Sequence, residues 1–203
     1  MNPAPEIGAL VLAAGRSRRF GGDKRRARLG DGRSMLEATV TRYAGIVQAL
    51  RVVLRPEDDV EELLPDAVPI VEVLRAADAQ LGMGHSLAAG LLDCRWDAAL
   101  VVLADMPAIA PATVRRIIDT WSSPPAPAST IVRPRHAGAP GHPVCFGQAH
   151  FAALRRLVGD RGARDYLAGQ SVVTIDVDDA GSLLDVDTRR ALEALTVCRS
   201  AKR

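Results

Sequence analysis

The chain has 203 residues, 48% of them apolar but only 3% aromatic, so it can bury a real core, built from Ala, Val, Leu and Ile. A formal charge of +2 argues against a polycation that holds nucleic acid or a membrane surface by charge alone. Three widely spaced cysteines without a CxxC pair point to free thiols in a reducing compartment, no apolar run reaches the length of a membrane span, and the first residues lack the pattern of a signal peptide. The expectation is one cytoplasmic domain over residues 1–203, with no membrane and no nucleic-acid partner.

In chain order, Ile7 to Leu12 is a short apolar run that reads as a buried strand ending in Ala-Ala-Gly. Gly15 to Arg33 is glycine-rich and basic. Ser34 opens a helix, with Glu37 three residues on completing a capping box; Met35, Leu36, Ala38, Thr39, Tyr43, Ile46 and Val47 form its apolar face. Val52 to Leu54 is a second strand, Pro56 to Leu64 an acidic helix with proline at its start, and Pro69 to Val73 a third strand. Gly82 to Ser86 leads into a helix through Leu92, with Ser86 a candidate cap. Ala98 to Leu103 is the clearest strand, with Asp105 just past its end. Ala112 to Trp121 is helical, and the Pro/Ser/Ala-rich stretch from Ser122 to Ser129 is a surface loop. Thr130 to Arg133 and Val144 to Phe146 are strands flanking a Gly/Pro loop. Gly147 to Val158 and Ala163 to Ala168 read as helices, Val172 to Val177 as a strand, and Thr188 to Val197 as a closing helix. Strands alternating with helices give an α/β fold with a Rossmann-like, mostly parallel sheet and helices on both faces. In such sheets ligands bind beyond the carboxyl ends of the strands.

The strongest chemical signal runs from Leu12 to Lys24. A strand delivers the chain into a loop where Gly15, Gly21 and Gly22 let backbone amides face phosphate oxygens. Arg16, Arg18, Arg19 and Lys24 supply the charge a triphosphate needs. Neither GxxxxGK[ST] nor GxGxxG is present. The alternative for this stretch is a mobile basic surface loop. Asp105, at the end of a buried strand, is costly unless paired or on a metal, although a turn or N-cap aspartate is also open. The two carboxylates of Asp185 and Asp187 face opposite ways in extended chain. His142 lies in the Gly/Pro loop; with His136 it makes no metal set, because no third ligand has a telling spacing.

The pattern LAAGxSxRxGxxK resembles the signature of the molybdenum cofactor nucleotidyltransferases and their relatives, and within that family the cytidylyltransferases most. Gly82-Met-Gly-His-Ser-Leu87, Leu103-Ala-Asp-Met-Pro107 and Gly138-Ala-Pro-Gly-His-Pro-Val144 match in the expected order. Gly159-Asp-Arg-Gly-Ala-Arg164 and Asp185-Val-Asp-Thr188 extend the likeness over nearly the whole chain. The resemblance implies a magnesium-dependent enzyme that moves a nucleoside monophosphate from an NTP to a phosphate-bearing acceptor of the molybdopterin type, releasing pyrophosphate. It places the nucleotide on Leu12, Ala13, Ala14, Gly15, Ser17, Arg19 and Lys24 and on the turn of Gly82, Met83, Gly84 and Ser86. It makes Asp105 a Mg2+ ligand, with Asp187 chosen ahead of Asp185 as the second. It puts His142 and Pro143 on the acceptor side, where Arg161 and Arg164 could meet an acidic acceptor. Handing the product to a molybdoenzyme or its chaperone would follow.

The Ala13-Ala14-Gly15 run favours CTP, since the guanylyltransferases tend to read Ala-Gly-Gly there and the Ala14 methyl narrows the space beside the base. The chain departs from the family at Arg25, Arg26 and Arg28, where apolar residues are common; the extra charge could select a more anionic acceptor. Arg25, outside the signature, is expected to matter much less than Lys24. The rival readings are the same fold with another acceptor (a sugar phosphate, a phospholactate or an isoprenoid precursor), a nucleic-acid-binding module and an inert nucleotide-binding regulator.

Overall fold

Two apolar segments without a charge, IGALVL and AALVVL, become the central strands β1 (Ile7–Leu12) and β4 (Ala98–Leu103). Every residue of β1 is buried, as expected of a parallel strand covered on both faces. The computed structural model describes residues 4–17, 19–64, 71–123 and 128–200, and side chains up to residue 195. Arg18, the start of the expected third strand at Pro69 and Ile70, and 124–127 of the expected proline-rich loop lie outside the described residues.

After β1 the chain passes through a long loop into helix α1 (Met35–Ala44), whose start carries both halves of the expected capping box: Glu37 N–H donates to Ser34 Oγ, and Ser34 N–H to the Glu37 carboxylate. Then follow β2 (Ala49–Leu54), α2 (Val60–Leu63), β3 (Val71–Arg75), α3 (Met83–Leu91) and β4. Next come α4 (Pro111–Ser122), with proline in its first turn, β5 (Ile131–His136), β6 (Ala139–Pro140) and β7 (Val144–Gly147). The chain ends with α5 (Phe151–Leu154), α6 (Arg164–Ala168), β8 (Val173–Asp176) and α7 (Arg189–Ser200).

The sheet order is β3-β2-β1-β4-β7-β5-β6, with β8 also on β5. β3, β2, β1 and β4 are mutually parallel; β7 runs against β4 and β5, β6 runs against β5, and β8 is parallel to β5. The sheet is thus mostly parallel on one side and mixed on the other, in the expected α/β, Rossmann-like class. Strand alternation sorts Ala9 and Val11 to one face, against Leu36, Val40 and Tyr43 of α1 and Val114 and Ile117 of α4. Leu10 and Leu12 go to the other, against Leu87 and Leu91 of α3 and Phe151 and Leu154 of α5. Helices therefore cover both faces. Among the described residues no helix is long and apolar enough to cross a membrane.

Two expected helices are shorter than the sequence suggests, each for a local reason, and a third starts elsewhere than at the candidate cap. The acidic helix begins at Val60, not Pro56. The Asp59 side chain accepts from the Glu61 and Glu62 amides, and Asp58 is drawn instead to Arg55 N–H. The helix expected over Gly147–Val158 is a 3-10 turn at Gln148–His150 followed by the single turn of α5. Gln148 and Ala149 donate to carbonyls of Asp97 and Ala128, outside the helix. Ser86 does not cap α3; it lies within that helix, and Gly82 precedes the first turn.

Candidate active site

Strands β1 and β4 lie side by side, but their outgoing loops diverge, since β2 is on one flank of the pair and β7 on the other. This is the topological switch point at which open α/β sheets hold ligands. A cavity of about 450 Å3 opens there. Its walls include Leu12, Ala13, Ala14, Gly15, Ser17, Arg19 and Lys24 from the loop after β1, Gly82, Met83 and Ser86 from the start of α3, and Asp105, Asp185 and Asp187.

The loop after β1 is anchored at several points. Phe20 and Leu29 are buried in a small apolar cluster with Met35 and Ala38 of α1, Val186, and Leu195 of α7. Ser17 sits in the left-handed region at φ 50°, a conformation non-glycine residues hold only when their surroundings enforce it, and its Oγ accepts weakly from Lys24 N–H at 3.4 Å. From this frame Lys24 reaches across the cavity floor. Its Nζ donates to Asp105 Oδ2 at 2.6 Å and to Asp187 Oδ1 at 2.8 Å, while the other oxygen of Asp187 is 2.9 Å from Arg19 Nη2. Burial works against the Lys24 ammonium, but the charge of Asp105 and hydrogen bonds to both carboxylates outweigh it, and its pKa lies above the ordinary lysine value. The hydrogen bond from Lys24 holds Asp187 below the usual carboxylate range, aided by the charges of Lys24 and Arg19.

The two aspartates are brought in by different means. Asp105 follows β4, and its carbonyl accepts from Val186 N–H at 2.9 Å, tying the segment before α7 to the end of the strand. Val186 itself is fully buried, so Asp185 and Asp187 stand on either side of an anchored residue. Asp187 turns to Lys24 and Arg19, whereas Asp185 exerts its charge on His142. Asp187 is not the cap of α7, because Thr188 Oγ1 accepts the Ala191 amide.

Gly82 has φ +127°, and a Cβ there would stand 2.3 Å from the Gly159 carbonyl carbon, so only glycine fits. Gly84 N–H donates to the Gly159 carbonyl at 2.8 Å. The Gly82–Ser86 and Gly159–Arg164 motifs are therefore one packed unit, and Asp160, not Arg161 or Arg164, lines the cavity. Gly84 is behind the wall.

The residues expected on the acceptor side do not converge in the same way. His142 and Pro143 lie beyond Asp185 and outside the cavity lining; the His142 amide donates to the Ser182 carbonyl at 2.8 Å. Burial, then the Arg133 guanidinium, push the His142 pKa down to about 4 against an upward pull from Asp185, so the ring is neutral at pH 7. Arg161 points to solvent and pairs with Asp165 at 2.9 Å. Arg164 is exposed on α6, close enough for its charge to oppose that of Arg133. His136 is engaged with the Val177 carbonyl and the Asp179 amide. Among the described residues no group of three or more His, Cys, Asp or Glu side chains could hold a metal.

The expectation about the extra arginines is corrected. Arg25 is 3% exposed and lines the cavity from below. Its guanidinium donates to Asp23 at 2.8 Å, to Asp58 at 2.7 Å and to the Ala13 carbonyl at 2.9 Å; Arg55 joins the same two aspartates. Arg26 pairs with Glu62, and Arg28 donates to the Gly32 carbonyl. The Arg25 charge is consumed within the chain and is not on offer to an acceptor, whereas Arg26 and Arg28 are exposed. Arg25 clasps the loop after β1 to the loop after β2 and fixes the Ala13 peptide. A run of basic residues at 24–28 facing a run of acidic ones at 57–59 is the signal that could have revealed it.

Comparison with known proteins gives the family and the fold. The family described as MobA-like NTP transferase domain matches residues 9–175. A protein of Chloroflexus aggregans named "Probable molybdenum cofactor guanylyltransferase" is 36% identical over 110 residues, 52% of this chain and 49% of that one; the match thus spans about half the length of the relative. The crystal structure of Rv0371c from Mycobacterium tuberculosis H37Rv superposes with a TM-score of 0.79 at 30% identity, covering 96% of this chain and 98% of that chain. The same protein has been solved in complex with manganese, with a TM-score of 0.76 at 29% identity and 95% and 98% coverage. The chain belongs to the family of MobA-like NTP transferase domains.

Proposed function

We propose that this enzyme transfers a nucleoside monophosphate, CMP from CTP, to a phosphate-bearing acceptor of the molybdenum cofactor type. The observation that carries the reading is the pairing of Lys24 and Arg19 with Asp105 and Asp187 beneath a glycine-rich loop at the ends of β1 and β4. An oxygen of the acceptor phosphate attacks the α-phosphorus, the new P–O bond forms as the α–β bond breaks, and pyrophosphate leaves with the electron pair. Little covalent work falls to the protein; positioning and neutralisation of charge dominate.

Two carboxylates that share one cation, with no nitrogen or sulfur donor at the spot, fit a hard divalent ion such as Mg2+ that takes its remaining ligands from phosphate and water. Asp105 and Asp187 would hold it, and it would shield the charge that builds at the α-phosphate. Arg19 and Lys24 would receive the departing pyrophosphate. Leu12 to Gly15, Ser17, Gly82, Met83 and Ser86 would surround the nucleoside. Asp185 and the neutral His142 would face the acceptor, with Pro143 and Arg164 beyond them; Arg161, paired outside the cavity, is left out of this role. Passing the product to a molybdoenzyme or its chaperone belongs to the same reading.

The base is argued from Ala14, which carries a methyl in the cavity wall where glycine would leave the backbone open. A second reading, GTP, has the name of the Chloroflexus aggregans relative in its favour. Competition among the four NTPs with a molybdopterin-type acceptor separates them: CTP should give the fastest pyrophosphate release, whereas GTP winning would replace cytidylyl by guanylyl transfer.

A further inference from the structure

We infer that Lys24 is a gate on the metal seat: its ammonium occupies the point where Asp105 and Asp187 converge, and a divalent ion enters only when a triphosphate draws Lys24 away. The inference rests on the reading of those two aspartates as the metal-holding pair.

Lys24 Nζ lies 2.6 Å from one carboxylate and 2.8 Å from the other, and its side chain is only 16% exposed. A divalent ion bound to the same oxygens at about 2.1 Å would fall almost on top of that ammonium. The two cations exclude each other by size and by charge. Lys24 and Arg19 also balance Asp105 and Asp187 one for one. An ion entering alone would turn a neutral cluster into one with two excess positive charges. It would also strand the ammonium in a half-buried site without a counter-ion, which is costly. A triphosphate removes both penalties, because its oxygens take over Lys24 as they coordinate the ion.

The local structure suits such an exchange. The Lys24 backbone is fixed, between the Ser17 hydroxyl and the 3-10 turn Lys24–Arg26 that Asp23 caps, beside the buried Arg25 clasp. Its four-carbon stem is flexible, so the head group can leave while the loop stays. Among the described residues no third acidic, His or Cys ligand would compensate an ion that arrives without nucleotide. Metal and triphosphate should therefore bind with positive coupling, each raising the affinity for the other.

The test is Mn2+ binding to the purified chain, followed by electron paramagnetic resonance of the free ion without nucleotide. Removing the ammonium in Lys24→Met should tighten Mn2+ binding about tenfold or more, and Asp105→Asn in the same chain should abolish the gain. Lys24→Gln, which keeps a donor but no charge, serves if Lys24→Met does not fold and should show the same direction. In the parent, protein-bound Mn2+, read by water proton relaxation, should appear chiefly once CTP is added. The gate is overturned if the uncharged variants bind Mn2+ no more tightly than the parent, or if the parent binds it equally well with and without CTP. If Asp105→Asn and Asp187→Asn leave protein-bound Mn2+ unchanged in the presence of CTP, the metal pair itself is misassigned, which is a different failure.

Discussion

The two halves of the sheet deliver side chains to the cavity in different ways. In the half formed by β3, β2, β1 and β4, all strands point the same way. The loops after β1 and β4 leave on the same side, and Lys24 and Asp105 meet there at 2.6 Å on the wall of the cavity, both partly buried. In the half formed by β7, β5, β6 and β8 the directions are mixed: β7 and β6 run against β5, and β8 is parallel to it. It reaches the site through Asp160, before β8, and through the segment after β8, latched by Val186 to Asp105 and by Ser182 to His142. The parallel half holds paired charges, completed by Asp187 from the segment after β8; otherwise the mixed half presents a neutral histidine and exposed arginines. A shaped set of paired charges suits a part that every donor shares, the triphosphate, and a looser rim suits the acceptor, in which members of a fold differ.

Breaking the parallel half should have the largest effect. Asp105→Asn keeps shape and removes charge, so turnover should fall on the order of 10²-fold or more, while NTP binding measured without metal changes little. Steady-state rates at saturating Mg2+ check this, and parental turnover would remove Asp105 from the metal site.

Next come two neighbours that play different parts. Arg25→Ala removes the buried counter-charge of Asp58, whose side chain is 6% exposed, and of Asp23, and leaves both to the more exposed Arg55. Breaking a buried pair on one side costs about 3–5 kcal/mol, so Tm should drop by roughly ten degrees. Lys24→Ala, in a more open site, should leave Tm nearly unchanged but weaken NTP binding, slow transfer, or both. Differential scanning calorimetry beside kinetics separates them; equal losses of Tm would make Lys24 a structural residue.

The mixed half should respond mainly to pH and to the acceptor. His142 takes up a proton near pH 6.5 when unfolded and near pH 4 when folded, so between those values the unfolded chain binds more protons and stability falls as pH falls. The full difference is on the order of 3 kcal/mol. Chemical denaturation at pH 7 and pH 4.5 should show a smaller loss for His142→Gln than for the parent. At pH 7, His142→Ala should raise the acceptor KM or lower kcat with NTP affinity nearly unchanged; a large loss of NTP affinity would move it to the nucleotide side. The smallest effect belongs to Arg161→Ala, which removes one exposed ion pair worth at most about 1 kcal/mol. A rise of tenfold in acceptor KM there would show that Arg161 swings into the site.

Much of the parallel half is legible in the sequence because its signals are local. The Ser34–Glu37 box, the uncharged runs of β1 and β4 and the position of Asp105 after β4 each depend on a few adjacent residues. The mixed half is set by pairing between distant segments: nothing in Val144–Gly147 announces that it runs against β4, and Gln148 leaves the helical pattern because its amide finds the Asp97 carbonyl. Arg25 escaped for a related reason. An arginine in a glycine-rich loop looks the same whether it faces solvent or two aspartates, and one of those, Asp58, lies 33 residues away.

The most direct test of the account follows the phosphorus atoms. With Mg2+, acceptor and CTP labelled at the α or the γ position, α-label should appear in the acceptor-linked product and γ-label in pyrophosphate, both depending on Asp105. Label from the γ position in the acceptor, or released as orthophosphate, would place the attack at the other end of the triphosphate and contradict nucleotidyl transfer by this site.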